Sequence, residues 1–73
     1  MMTVYDLKIG QSGTINSIKG NARLAKRLLA LGCVEETEVK VTKVAPFGDP
    51  IIIRLRGFDL AIRKDDAKNI YLK

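Results

Sequence analysis

From Ile51 onward, apolar and polar positions alternate along the chain. Ile51, Ile53 and Leu55 fall on one side, and Ile52, Arg54 and Arg56 on the other, which is the period of a half-buried strand. Gly57-Phe58 then reverses the chain into Leu60 and Ile62, which alternate with Asp59, Ala61 and Arg63. The pattern predicts an antiparallel hairpin. Ahead of it, Pro46, Gly48 and Pro50 make a stiff loop, because proline restricts φ and donates no hydrogen bond. Thr37 to Val44 reads as the preceding strand, with Val39 and Val41 between Glu38, Lys40 and Thr42. Lys43-Val44 breaks that alternation and predicts a bulge or bend near the loop. A first strand is expected over Thr14–Ile18, and Ile70 and Leu72 predict a closing one.

The period changes between Ala22 and Leu31. Leu24, Leu28 and Leu31 recur at i, i+4 and i+7, the spacing of one helical face. Arg23, Lys26, Arg27 and Ala30 fill the opposite side, and Ala25 and Leu29 lie on the flank. Asn21 is placed to cap the helix and Gly32 to end it in the left-handed conformation. Thr3 and Asp6 have the spacing of a capping box, and Lys64-Asp65-Asp66-Ala67 reads as one tight turn. Together these elements predict a single domain over residues 1–73. It is mainly β: a small SH3-like barrel of about five antiparallel strands, with one α-helix inserted between the first and second.

Composition narrows the setting. With 73 residues there is room for one core, and a chain this short buries only roughly 60% of its unfolded surface. A hydrophobic share of 47% with 29% charged residues belongs to a folded domain. Nothing approaches the ~18 consecutive apolar residues of a membrane helix. Met1 to Asp6 lacks the basic start and apolar core of a signal peptide. Cys33 is the one cysteine, so a cytoplasmic, reducing location is expected. Cys33 itself reads as a small buried hydrophobe.

Chemistry is conspicuous by what is missing. There is no histidine, hence no Ser-His-Asp or Cys-His arrangement and no zinc site of ordinary composition. The glycines do not space into a phosphate-binding loop, so nucleotide binding is not expected. The acidic neighbours Glu35-Glu36 and Asp65-Asp66 read as solvated surface. The expectation is a protein that is not an enzyme, with no catalytic residue, cofactor or metal ligand.

Thirteen Lys and Arg against eight Asp and Glu give a net charge of +5, which favours acidic partners without naming one. Arg23 and Arg27 on the helix, and Arg54 and Arg56 on the hairpin, are either ordinary surface charges or a binding surface. Nucleic-acid barrels interleave aromatics with such residues for base stacking, and Tyr5, Phe47, Phe58 and Tyr71 do not sit between them. A protein-docking surface remains, with Arg23, Arg27, Leu29, Arg54 and Arg56 as the candidate contacts.

Four segments carry a family resemblance: Arg27-Leu28-Leu29-Ala30-Leu31-Gly32, Ala45-Pro46-Phe47-Gly48-Asp49-Pro50, Ile53-Arg54-Leu55-Arg56-Gly57-Phe58, and Leu60-Ala61-Ile62-Arg63-Lys64-Asp65-Asp66-Ala67. In that order they make the chain resemble the FeoA family, the small ferrous iron transport protein A of bacteria. The chain departs from the family at Glu35-Glu36, where members often have Pro-Gly. The resemblance implies an SH3-like fold and a partnership with FeoB, the membrane ferrous iron transporter with a cytoplasmic GTPase domain. Contact would be with that GTPase domain or the membrane part, and the chain would be peripheral to the membrane only through its partner. Transition-metal binding enters by family association alone. Two other classes are kept open: an SH3-like regulatory module acting with a metal-dependent transcriptional repressor, and a small basic nucleic-acid-binding barrel.

Overall fold

The computed structural model describes residues 2–32 and 35–73. Five strands form one sheet: β1 (Ser12–Ile18), β2 (Glu38–Val44), β3 (Ile51–Leu55), β4 (Phe58–Ile62) and β5 (Ile70–Leu72). Their spatial order is β4-β3-β2-β1-β5, and every neighbouring pair is antiparallel. β1 serves two partners. Its first half pairs with β2 and its second half with β5, and the register shifts between Ile15 and Ser17. That irregularity bends the strand and folds the sheet back over its own core. Close approach is allowed at Gly13, where a Cβ would stand 2.8 Å from Leu72 Cδ1.

The alternation on β3 is realised as expected: Ile51, Ile53 and Leu55 are buried. Val39 and Val41 on β2, Ile62 on β4, and Ile70 and Leu72 on β5 join them in one core. The irregularity anticipated in β2 falls between Val41 and Lys43. The hairpin differs in one respect. Leu55 pairs directly with Phe58, so Arg56 and Gly57 are the two turn residues, with φ of 47° and 83°. Positive φ at both positions is what a two-residue type I′ turn requires, because its twist matches that of the strands. Arg56 therefore does not continue the outward face of β3 beside Arg54.

The inserted helix, α1, spans Ala22–Ala30. Asn21 Oδ1 accepts a hydrogen bond from the Leu24 amide at 3.0 Å, as expected of its cap. Leu24 and Leu28 are buried against the sheet, but Leu31 is 38% exposed. The reason is local: the helix has ended, Leu31 is its C-cap, and Gly32 follows with φ of 82°. A second helix, α2, is a single turn over Lys64–Ala67 that buries Ala67. The Val4–Asp6 3-10 turn buries Val4, and Asp6 Oδ2 accepts from the Thr3 amide at 2.8 Å. Thr3 bridges to Tyr71, and the Leu72 amide donates to Met2 O. The N-terminal segment thus covers the outer edge of β5. Cys33, read from the sequence as buried, lies outside the described residues.

Glu36, which precedes β2, has φ of 70°. This is the left-handed region that a glycine would occupy freely. Its amide donates to Ile15 O at 2.9 Å, and its carboxylate pairs with Lys73. The turn is kept without the glycine.

Candidate partner-docking surface

At about 100° per residue, α1 has two distinct flanks beside its buried Leu24–Leu28 stripe. Ala25 and Leu29 lie on one. They face β1 across a groove of about 470 Å3, whose other walls include Ile15, Ser17, Ile18, Lys19 and Glu35. Leu29 is 63% exposed at its rim. Large aliphatic side chains at such a site favour removal from water by an incoming apolar group. Ser17 Oγ is buried here with no hydrogen-bond partner among the described residues.

Arg23 and Arg27 lie on the opposite flank. With Asn21, Leu24 and Asp66 they line a shallow depression of about 90 Å3. Both arginines are exposed, as is Lys26, and the helix carries no acidic residue. The candidate contacts Arg23, Arg27 and Leu29 therefore do not share a face. The arginines make a cationic flank and Leu29 belongs to the apolar groove.

The hairpin candidates are separated as well. Arg54 Nε lies 3.7 Å from Asp59 Oδ1 across the β3–β4 pair, and both side chains are more than half exposed. The opposite cross-strand neighbour of Arg54 is Lys40, so Asp59 offsets two adjacent positive charges. Arg56 is engaged internally. Its Nε donates to Gly32 O at 3.0 Å, where a cation also complements the negative end of α1. It fastens the hairpin tip to the end of the helix.

Sequence reasoning missed the groove as a unit. Its signal was present in Ala25 and Leu29, which the helical core stripe left unclaimed, but the facing Ile15 and Ile18 come from another element. Among the described residues, no three His, Cys, Asp or Glu side chains gather as a metal site. No described helix is long and apolar enough to cross a membrane.

The geometry defines a small SH3-like β-barrel with a basic helix and an apolar groove on its surface. The FeoA domain profile matches residues 2–73, so the chain belongs to the FeoA family. Among solved structures, it is similar to the FeoA protein of Chlorobium tepidum, with 32% identity and a TM-score of 0.92 over 97% of this chain and 68% of that one. It is also similar to the zinc-complexed FeoA of Stenotrophomonas maltophilia, described as a prokaryotic SH3 domain protein. That likeness has 27% identity and a TM-score of 0.86 over 100% of this chain and 91% of that one. A curated relative from Porphyromonas gingivalis is a fusion of Fe(2+) transport protein A with the Fe(2+) transporter FeoB. It is 29% identical over 69 residues, which make up 94% of this chain and 8% of the relative. The chain is thus a domain related to ferrous iron transport, in a family with a member fused to FeoB.

Proposed function

We propose that this chain is a non-catalytic accessory domain of ferrous iron uptake that works in the cytoplasm. It docks on FeoB, through the transporter's GTPase domain or its membrane part, and biases GTP hydrolysis or assembly. The observation that carries this reading is the covalent union of a homologous domain with FeoB in one polypeptide. A tether holds two partners at up to millimolar effective concentration, which favours even a weak contact between them. Docking has a regulatory effect only if the two states of the transporter bind the domain with different affinity. The flanks of α1 supply the contacts, the apolar groove at Leu29 giving affinity and the Arg23/Arg27 flank giving orientation and rate of encounter.

The test is an NMR titration of labelled protein with the cytoplasmic GTPase domain of its cognate FeoB, nucleotide-free and with GDP or a GTP analogue. Expected are amide shifts on Ala22–Ala30 and β1 that saturate at different concentrations in the different nucleotide states. Leu29→Asp and the pair Arg23→Glu/Arg27→Glu, tested separately, should each weaken binding about tenfold or more. If all of these variants stayed folded and left binding and FeoB-dependent iron uptake unchanged, the helix would not be the docking element. Silence toward the GTPase domain, with shifts on adding a short RNA instead, would favour the nucleic-acid reading.

A further inference from the structure

The sheet has two edges, and among the described residues that of β5 is covered and that of β4 is not. We infer that β4 is a self-pairing edge, on which a second copy of this chain adds its own β4 antiparallel about a twofold axis.

In a two-residue hairpin the closing pair is hydrogen-bonded, and the bonded pairs then alternate along the ladder. Leu55–Phe58, Ile53–Leu60 and Ile51–Ile62 are therefore the bonded pairs. The amides and carbonyls of Asp59 and Ala61 must point away from β3. The Arg63 amide continues this row, while the Arg63 carbonyl accepts from Ala67. No described backbone group outside the sheet bonds to the Asp59 or Ala61 amides. Asp59 and Ala61 are exposed, as is Arg63. Such a row is a template for another strand.

Charge selects the occupant and the register. Centred on Ala61, a twofold pairing sets Asp59 opposite Arg63 of the second copy, twice by symmetry. Centring on Asp59 or on Arg63 would oppose like charges, which is unfavourable. Centring on Leu60 or Ile62 leaves Asp59 without a basic partner. The edge is thus self-complementary in one register, as a twofold interface must be.

The same register accounts for two exposed aromatics. Phe47 is 95% exposed and Phe58 is 37% exposed. The Lys64 amide donates to Asp49 Oδ1 at 3.1 Å, which holds the Phe47 loop beside the far end of β4. Antiparallel pairing sets Phe58 opposite Lys64 of the second copy, and so brings the Phe47 loop of one copy next to Phe58 of the other. The edge offers few outward backbone groups, β4 being five residues long, so the dimer is weak and is populated only at high protein concentration, up to about 1 mM.

Sedimentation equilibrium and a dilution series of amide spectra, both on the full chain up to about 1 mM, test the inference. Expected is a monomer–dimer equilibrium with concentration-dependent shifts at the Asp59, Ala61 and Arg63 amides. Asp59→Arg and Arg63→Asp should each weaken it about tenfold, and an equimolar mixture of the two variants should recover association. Ala61→Pro removes an outward amide without touching the β3 ladder, and should abolish pairing. A monomer at the highest concentration would overturn the inference. So would a dimer indifferent to these substitutions while the variants keep dispersed spectra, or one whose shifts fall on α1 instead.

Discussion

At the scale of single residues, Glu36 shows how a side chain can occupy a position shaped for none. Its φ of 70° costs an ordinary residue about 1 kcal/mol relative to glycine. The turn persists because the Glu36 amide bonds to Ile15 O, the Ile15 amide bonds to Thr37 O, and β2 begins at Glu38 directly after. The ion pair with Lys73 is exposed on both sides and contributes little. Glu36→Gly is accordingly expected to stabilise the protein by about 0.5–1 kcal/mol, measured as a raised midpoint in urea. A lowered midpoint would mean that the carboxylate matters more than the backbone. Arg56, at φ of 47°, is the other case, and its hydrogen bond to Gly32 O offsets part of its conformational cost.

At the scale of elements, α1 has to do two things with nine residues. One stripe buries Leu24 and Leu28, and a neighbouring flank leaves Leu29 largely in water. Helices this short are marginal alone, so packing and the Asn21 cap hold it. Leu28→Ala, at a fully buried site, should cost about 2–5 kcal/mol. Leu29→Ala should change stability by no more than about 0.5 kcal/mol while weakening partner binding. Thermal unfolding together with the FeoB titration separates the two. Equal destabilisation by both would show Leu29 to be structural. The helix itself was legible in the sequence, since its period, cap and terminating glycine are all local. That Arg23 and Arg27 belong to a different surface from Leu29 was not, because it depends on which element packs against each flank.

Considered as a whole molecule, the accessible surface of 4670 Å2 is close to the about 4,500 Å2 expected of a compact monomer of this size. Compactness does not make such a small domain robust. A core of this size supplies no more than about 3–5 kcal/mol. Ile53 sits fully buried on β3, a strand flanked on both sides. Ile53→Ala is expected to remove about 2–5 kcal/mol and leave a large unfolded fraction at 25 °C, visible as collapse of amide dispersion. A variant folded as well as the parent would mean that the core tolerates the cavity by repacking.

The sequence by itself determined the elements: strand alternation, the helical stripe, the cap at Asn21, the break near Lys43 and the stiff loop from Pro46 to Pro50. Each is set by interactions within a few residues, which is why a linear pattern records them. The family, too, was legible in motifs running from Arg27 to Ala67. Only the tertiary structure decided which surfaces those elements make. Arg56 left the strand face because the two-residue turn needs positive φ there, and it bonds instead to a helix end 24 residues away. The apolar groove exists because Ile15 and Ile18 of one element meet Ala25 and Leu29 of another. Among the described residues Met2 and Thr3 add to β5 and none adds to β4, which leaves the outward row of β4. Such surfaces arise from contacts between distant segments, and periodicity carries no information about them.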